Sequence, residues 1–231
     1  MFKYTKSMID DFRFPFDGLD KIEESYAQAL QDMFVLATLN GKHNGTFLEV
    51  GAYAPEFISN TVLLEKQFGW TGISIDYDGG VEPQFKAYGR TAKFITGDAT
   101  KLDYNSVLSK FENPVIDYLQ LDIEPNAQTL ECLKAIPFDN FDFRVITFEH
   151  DHYSKESSKE FNDAIRKESE EILEGYGYVA VAKNIANVGN DEFESWWLNK
   201  KYFNGDIISK FKLNDVNQII LARNYMINGL E

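Results

Sequence analysis

The chain has few of the features that define several large protein classes. It contains a single cysteine, Cys132, which excludes an internal disulfide framework. Cys132 falls in a helical pattern with Leu130 and Leu133, which favours a packing role. Positive charge is also scarce, because 23 Lys and Arg stand against 37 Asp and Glu, a net charge of −14. Nucleic-acid-binding proteins neutralise phosphates with cationic side chains, so this balance argues against a nucleic-acid substrate.

Long apolar runs are missing as well. The sequence holds no stretch of about 18 consecutive apolar residues, the length that crosses a bilayer. The N-terminal segment M-F-K-Y-T-K-S-M-I-D-D-F lacks the apolar core of a signal peptide. We therefore expect a cytoplasmic protein without membrane insertion.

What is present suits one α/β domain. A length of 231 residues with 44% hydrophobic residues is enough for a single buried core. Residues 1–18 carry several phenylalanines among charges and predict an arm that packs on the domain through its aromatic rings; a lid or a dimer contact stays open. We expect an N-terminal arm and helix over 1–40, packed on a domain over 41–231.

The stretch from Gly45 to Asp78 has the pattern of a nucleotide-binding β-α-β unit. It reads as a strand, a glycine turn, a helix and a second strand that ends on an acid: 46–50, Gly51-Ala52, a helix with Leu64 and Phe68 on one face, 71–75 and Asp76. Ser59 or Asn60 is placed to cap the helix, and Gly69 to end it. A glycine lets the turn approach a ligand, while the acid can accept both hydrogen bonds of a ribose diol.

The glycine turn lacks part of the dinucleotide-binding pattern. After Gly51 come Ala52, Tyr53, Ala54 and Pro55, so no second or third glycine makes room for a pyrophosphate. This favours an adenosine-type ligand without phosphates, of which S-adenosylmethionine is the common one.

These motifs resemble the FkbM-type family of S-adenosylmethionine-dependent methyltransferases. The resemblance lies in E-V-G-A-Y at 49–53, S-N-T at 59–61 and E-K-Q-F-G-W-T-G-I-S-I-D at 65–76. It continues in Y-A-Q-A-L-Q-D-M-F at 26–34, L-D-I-E at 121–124, V-I-T-F-E-H-D at 145–151 and F-E-S-W-W-L at 193–198. It implies cofactor contacts from residues of these motifs and from the acids at strand ends, namely Glu49, Gly51, Ala52, Tyr53, Ser59, Asn60, Asp76, Asp98 and Asp122. It also places Gln31 and Asp32 near the cofactor pocket, although a solvated helix face explains the same pair.

Alternating strands and helices predict a mostly parallel sheet with helices on both faces. The further helices are expected at 19–39, 81–88, 106–111, 125–135 and 155–175, the last with Phe161 and Ile165 inward. The further strands are expected at 93–96, 116–121, 143–148, 178–182 and 217–222. The final pair predicts an antiparallel edge strand. Seven strands of this kind match the Rossmann-like class I methyltransferase fold.

Five predicted strands deliver a glycine or an acid to their carboxyl ends, namely Gly51, Asp76, Asp98, Asp122 and Glu149. In an open parallel sheet these ends meet at one edge, where ligands bind. Asp98 has a second interpretation, because an acid at this point also serves as a turn residue or helix cap. The sequence therefore predicts the ligand site at this edge.

The motif E-H-D-H at 149–152 leaves three hypotheses open. In the first, Asp122 and Glu149 lie on neighbouring strand tips about 5 Å apart and bind Mg²⁺ or Mn²⁺. Similarity to macrocin-type sugar O-methyltransferases then implies Asp122, Glu149 and Asp151 as ligands and His150 or His152 as the base. In the second, a histidine acts as the base without a metal. In the third, the motif is a solvated acidic loop.

Two further pairs of residues have an open role. Trp196 and Trp197 are expected in an insertion before the last strand, either as a wall for a sugar ring or as packing residues. Lys183 and Asn184 follow a predicted strand and are candidates for the border of the pocket.

The resemblance implies an S-adenosylmethionine-dependent methyltransferase (EC 2.1.1.-) that O-methylates a hydroxyl of a carbohydrate or sugar-containing small molecule. The acceptor is then a small molecule or a glycan. N-methylation of an amino sugar remains an alternative. So does a catalytically degenerate binding or assembly module, because Pro55 stands where the family usually has a glycine. A homo-oligomer also stays open.

Overall fold

An eight-stranded mixed sheet organises the chain. The computed structural model describes residues 4–229, so residues 1–3 of the predicted arm, Phe2 among them, and residues 230–231 lie outside the described part. In chain order the strands are β1 (Tyr4–Thr5), β2 (Glu24–Ser25), β3 (Thr46–Val50), β4 (Thr71–Asp76), β5 (Lys93–Thr96), β6 (Val115–Leu121), β7 (Asp142–Glu149), β8 (Tyr178–Ala186), β9 (Glu192–Asn199) and β10 (Ile219–Leu221). β1 and β2 form a separate antiparallel pair.

The helices follow the strands in alternation through most of the chain. They are α1 (Lys6–Ile9), α2 (Gln31–Thr38), α3 (Val62–Phe68), α4 (Val81–Tyr88), α5 (Tyr104–Leu108), α6 (Asn126–Ala135), α7 (Lys159–Gly175), α8 (Gly205–Phe211) and α9 (Ala222–Met226). Short 3₁₀ turns lie at Leu19–Lys21 and Ala99–Lys101. Within residues 4–229, no helix combines the length and apolar character needed to cross a bilayer.

The strand order of the large sheet is β10-β8-β9-β7-β6-β3-β4-β5. All neighbouring strands are parallel except β9, which is antiparallel to both β7 and β8. The predicted fold class, a mostly parallel Rossmann-like sheet with an antiparallel strand, is confirmed. Two details differ from the prediction: the sheet has eight strands rather than seven, and the antiparallel strand lies between β7 and β8 while the outermost β10 is parallel.

The motif F-E-S-W-W-L forms β9 itself rather than an insertion. Successive side chains of a strand point to opposite faces, so Trp196 and Trp197 enter the two cores on either side of the sheet. Trp196 stacks on Phe34 with 4.3 Å between the ring centroids. Both indoles are fully buried, so the packing interpretation holds and neither forms a wall for a sugar.

The predicted helix over 19–39 is reduced to α2. Leu30, directly before α2, has φ 62°, which lies outside the helical region. Of the four residues whose spacing predicted the helix, only Phe34 lies in α2. Ile22 follows the 3₁₀ turn, Tyr26 follows β2 and Leu30 precedes α2, although all but Tyr26 are fully buried. Burial of residues from separate turns and short elements therefore produced an apolar spacing like that of one longer helix.

The aromatic residues of the arm pack as predicted. Phe12, Phe14 and Phe16 are buried, and Phe14 lies 4.7 Å from Phe211 between ring centroids. The start of the long helix differs from the prediction, because Ser158 caps α7 by accepting a hydrogen bond from the Phe161 N–H at 3.2 Å. Phe161 consequently lies in the first turn and is 46% exposed, not inward.

Parallel strands β3 to β7 bring their carboxyl ends to one edge, and Gly51 lets two of them meet closely. Gly51 has φ 87°, and a Cβ there would lie 1.6 Å from the carbonyl oxygen of Asp122. The Asp122 N–H donates to the carbonyl of Val50 at 3.0 Å, which continues the β3–β6 pairing to this point. Glycine is therefore required at position 51 because the backbone at the end of β6 approaches it closely.

We predict that Gly51→Ala lowers the free energy of unfolding by about 3 kcal/mol or more, since the added methyl group must displace backbone. Gly89→Ala is the matched control, because Gly89 has φ 79° but no atom within 4 Å of the added Cβ. The control should lose only the roughly 1–2 kcal/mol of a left-handed residue. Urea unfolding of both variants measures the difference, and equal losses would contradict the role of the Asp122 contact.

Candidate functional site

A cleft of about 760 Å³ opens at the carboxyl edge of the large sheet. The five residues predicted at strand ends all line it: Gly51, Asp76, Asp98, Asp122 and Glu149. They lie at or just after the ends of β3, β4, β5, β6 and β7. β3 and β6 are neighbours in the sheet, and the order of the strands along the chain reverses between them. This is the position at which open α/β sheets bind ligands.

Backbone donors hold the carboxylate of Asp76 in place. Its Oδ2 accepts from the Tyr53 N–H and its Oδ1 from the Asp78 N–H, both at 2.8 Å. One donor belongs to the glycine loop and the other follows β4, so the carboxylate joins the two walls of the cleft. Each oxygen keeps acceptor capacity for a further donor, as a ribose diol would provide.

Glu49 lies beneath the glycine loop rather than in the cleft. It is 2% exposed and accepts from Thr61 Oγ1 at 2.7 Å and Ser74 Oγ at 2.6 Å. Burial raises its pKa, against the opposing charge of Arg90, whose guanidinium lies 3.8 Å away. Arg90 also donates to the carbonyl of Pro55 at 2.8 Å. The buried network therefore anchors the loop that contains the proline.

Ala52, Ser59 and Asn60 are likewise buried behind the cleft lining. Ala52 packs with Val81 and Phe85. Ser59 accepts from the Val62 N–H at 3.2 Å, but the N-cap position of α3 is Thr61, so the predicted cap at Ser59 or Asn60 is wrong by one or two residues. Asn60 Oδ1 has no hydrogen-bond partner within residues 4–229. Of the predicted cofactor contacts, only Gly51, Tyr53, Asp76, Asp98 and Asp122 line the cleft.

Asp98 caps a turn and also lies in the cleft lining. Its Oδ1 accepts from the Thr100 N–H at 3.1 Å, so it caps the 3₁₀ turn, and it also lines the cleft. Hydrogen bonds from Lys101 and Thr100 lower its pKa to about 2, which keeps the carboxylate charged at neutral pH.

Four carboxyl groups gather where β6 and β7 end. Burial and the neighbouring charges of Asp122 and Asp151 raise the pKa of Glu149 well above its ordinary value. Burial is also the main cause that raises the pKa values of Asp122, Glu124 and Asp151. No group of three or more His, Cys, Asp or Glu side chains in residues 4–229 is arranged to hold a metal ion. The residues therefore do not fit the hypothesis of Asp122, Glu149 and Asp151 as metal ligands.

His150 is fully buried and does not line the cleft. Its Nε2 lies 3.0 Å from the carbonyl oxygen of Lys183, and its Nδ1 accepts from the His152 N–H at 3.2 Å. A carbonyl only accepts, so Nε2 carries the proton and Nδ1 is the acceptor. Burial lowers the pKa of His150 to about 3. Both nitrogens are engaged, which leaves neither for an acceptor hydroxyl.

His152 also lies away from the cleft. Its Nδ1 is 2.7 Å from Glu192 Oε1, and its Nε2 is 2.6 Å from Asp163 Oδ1. The ring thereby ties the start of β9 to α7. The second histidine predicted as a base is thus held between two carboxylates, and neither of its nitrogens faces the cleft lining.

The remaining candidates are structural. Lys183 Nζ contacts Glu170 at 2.6 Å, and Asn184 Nδ2 donates to the carbonyl of Asn217 at 2.6 Å. Asp32 is buried and accepts from Ser25 Oγ at 2.6 Å; burial raises its pKa to about 6. Gln31 donates to Glu194 at 3.3 Å. None of these residues lines the cleft.

Some cleft residues gave little signal in the sequence. Glu124 and Tyr153 follow the predicted strand ends by a few positions, so proximity to those ends could have indicated them. Gln28 precedes α2 and Ile58 precedes α3, and both reach the cleft through the tertiary fold. Local sequence patterns do not report such contacts.

The sequence matches no protein-family model and no curated protein. Its structure is similar to a candidate rRNA methylase from Clostridium thermocellum, with a TM-score of 0.50 and 11% identity over 74% of this chain and 94% of that chain. This likeness shows the class I methyltransferase fold, in agreement with the strand order.

Two further structures are similar at lower scores. One is the O-methyltransferase from Bacillus cereus in complex with S-adenosylhomocysteine, with a TM-score of 0.49 and 15% identity over 74% of this chain and 78% of that chain. The other is a TehB-like S-adenosylmethionine-dependent methyltransferase from Corynebacterium glutamicum, with a TM-score of 0.43 and 16% identity over 73% and 86%.

Glu194 should make the stability of the folded protein depend on pH. It is 1% exposed, accepts from Trp196 Nε1, and burial raises its pKa to about 8. The folded state therefore binds the proton more tightly than the unfolded state. This contribution to stability is complete below the unfolded pKa and is lost as the pH rises through 8.

We predict that the stability of Glu194→Gln relative to the natural protein rises between pH 5 and pH 8, by up to roughly 1.4 kcal/mol per pH unit. Glutamine cannot ionise, so the variant lacks this loss. Urea unfolding across the pH range tests it, with the exposed Glu112→Gln as a control that should leave the profile unchanged. Parallel profiles for Glu194→Gln and the natural protein would refute the shift.

Proposed function

We propose that this chain is an S-adenosylmethionine-dependent methyltransferase that methylates a hydroxyl of a carbohydrate or sugar-containing small molecule. The observation that carries the proposal is the convergence of Gly51, Asp76, Asp98, Asp122 and Glu149 on one cleft. The class I methyltransferase fold supports it. The acceptor class comes from the FkbM resemblance, and membership of that family stays a prediction.

The ends of β3, β4 and β5 fit the nucleoside half of the cofactor. Asp76 would bind the ribose diol, since its two oxygens are already oriented by backbone donors. Asp98 would face the adenine amino group, with Ile75 and Ala99 as apolar walls. When bound, S-adenosylmethionine supplies an activated methyl group on a positively charged sulfur.

The ends of β6 and β7 are left for the acceptor. Asp122 and Glu149 are carboxyl groups in the cleft that can hydrogen-bond an acceptor hydroxyl and take its proton. We assign the role of base to Asp122 and Glu149 because His150 and His152 lie outside the cleft lining and their ring nitrogens already have hydrogen-bond partners. The main task of these residues is to align the hydroxyl oxygen.

The structure gives Pro55 a defined place. Its carbonyl accepts from Arg90, which also forms an ion pair with Glu65 at 2.9 Å. The proline therefore belongs to a fixed loop next to an intact acid at the end of β4. This supports a working cofactor site over a degenerate module, which would bind no cofactor.

We predict that S-adenosylhomocysteine binds in the micromolar range and that Asp76→Ala weakens it about tenfold or more, because the ribose loses a charged acceptor. Calorimetric titration measures both. Asp78→Ala is the matched control, since that exposed acid accepts from the Gly80 N–H and does not line the cleft. At about 100 times its dissociation constant the ligand should add roughly 2.7 kcal/mol of stability. No heat and no shift in melting temperature would sink the methyltransferase proposal.

We further predict that Glu149→Gln or Asp122→Asn lowers kcat about 100-fold or more with an accepted sugar, since each removes a proton acceptor at the reacting hydroxyl. His152→Gln should change kcat less than about threefold, because this ring contacts Glu192 and Asp163 instead. Formation of S-adenosylhomocysteine measures the rates, and titration with the same ligand confirms that each variant is folded. A His152→Gln loss as large as the carboxyl losses would contradict this assignment.

A further inference from the structure

A second pocket of about 370 Å³ adjoins the cleft at its acceptor end. Glu124 and Tyr153 line both cavities, so the two spaces are neighbours where β6 and β7 end. The other lining residues are Asp151, Ser154, Lys155, Glu156 and Asp191. The strand order is β7-β6-β3-β4-β5. The nucleoside end of the cleft, at β3 to β5, is therefore separated from this second pocket by the end of β6.

The pocket is strongly acidic. Four of its lining residues are carboxylic acids and one is a lysine. The acids come from three separate segments: the loop after β6, the loop after β7 and the residue before β9. Only the fold brings them together, and their charges repel one another, a repulsion that a bound proton or another cation relieves.

Asp151 points to a missing ligand. It is 5% exposed, yet its Oδ1 has no hydrogen-bond partner within residues 4–229. Its backbone is fixed, because its N–H donates to the Phe193 carbonyl at 3.0 Å and its carbonyl accepts from the Ser154 N–H at 2.8 Å. A buried acceptor without a donor is costly, so a donor from a bound molecule would stabilise this arrangement.

We propose that this pocket binds an ammonium group of the acceptor, which makes the substrate class an aminated carbohydrate. This inference rests on the proposed methyltransferase function and narrows its acceptor. An ammonium group offers three donors and a positive charge, which suit Asp151 Oδ1 and the acids around it. The half-exposed ring of Tyr153 adds a face for cation–π contact.

The same residues suit an organic cation better than a metal ion. A divalent metal needs several oxygen or nitrogen ligands converging at close distance. The described residues contain no such group. An ammonium group needs only separate acceptors on its different sides, and four acids line the 370 Å³ pocket to supply them. The net charge of −14 also favours the approach of a cationic acceptor.

Calorimetric titration with kanamycin A, an aminated carbohydrate, tests the proposal in the presence of saturating S-adenosylhomocysteine. Fully N-acetylated kanamycin is the comparison, because it keeps the rings and hydroxyls but carries no charge. We expect kanamycin A to bind at least about tenfold more tightly than the acetylated compound.

Two variants address the pocket directly. Asp151→Asn removes the buried charge, and asparagine tolerates the left-handed backbone of this residue, φ 43°. Glu156→Gln/Asp191→Asn removes two exposed charges. Each should weaken kanamycin A binding about tenfold or more while S-adenosylhomocysteine binding is unchanged.

The matched control is Glu112→Gln/Asp139→Asn. It changes the net charge by the same amount at two exposed acids that precede β6 and β7, at the opposite edge of the sheet. The control should bind kanamycin A as tightly as the natural protein, because we expect the affinity to depend on the acids of the pocket and not on the net charge of the protein. An equal loss in the control and in the pocket variants would overturn the proposal.

Other outcomes also decide the matter. If kanamycin A and its acetylated form bind equally, or if neither binds, the ammonium site is overturned. The proposed methyltransferase function still holds in that case, provided that S-adenosylhomocysteine binds. A third outcome is saturable Mn²⁺ binding that is lost in Asp151→Asn, with no binding of kanamycin A. This result would overturn the ammonium site and show a metal site instead. Absence of S-adenosylhomocysteine binding overturns the methyltransferase proposal itself.

Discussion

The backbone contact between Gly51 and Asp122 is the constraint on which the cleft depends. A Cβ on Gly51 would lie 1.6 Å from the Asp122 carbonyl oxygen, so β3 and β6 can pair to their ends only with glycine at this point. That pairing places the loop after β3 beside the acids after β6. The two parts of the cleft that we propose for the nucleoside and for the acceptor meet at this contact.

The two ends of the cleft differ in how their charges are compensated. At the nucleoside end, Asp76 accepts from backbone N–H groups, and Asp98 pairs with Lys101 at 2.6 Å. Below the loop, Arg90 compensates Glu49 and Glu65. At the acceptor end, carboxyl groups chiefly neighbour other carboxyl groups, and burial together with the charges of Asp122 and Asp151 raises the pKa of Glu149 well above its ordinary value. This asymmetry is the physical basis for assigning different ligands to the two ends.

The histidines show why motif reasoning needs the fold. E-H-D-H follows a strand end, where a base is plausible, but the alternation of side chains along the chain sends His150 into the core beneath Lys183. His152 turns towards Glu192 on β9 and Asp163 on α7. Lys183 and Glu192 lie 33 and 40 residues from their histidines and Asp163 lies 11 residues away, so no local pattern shows that these rings are already engaged.

The sequence by itself determined the β-α-β unit, the boundaries of α4 and β5, and the gathering of five strand-end residues at one edge. These features depend on local apolar periodicity and on the direction of parallel strands, both of which are readable along the chain. Only the tertiary structure decided that β9 lies inside the sheet, that Glu49 is buried under Arg90, and that Asp151 faces an acidic pocket. Those outcomes depend on contacts between segments distant in sequence, where burial and charge are set by neighbours that no local pattern specifies.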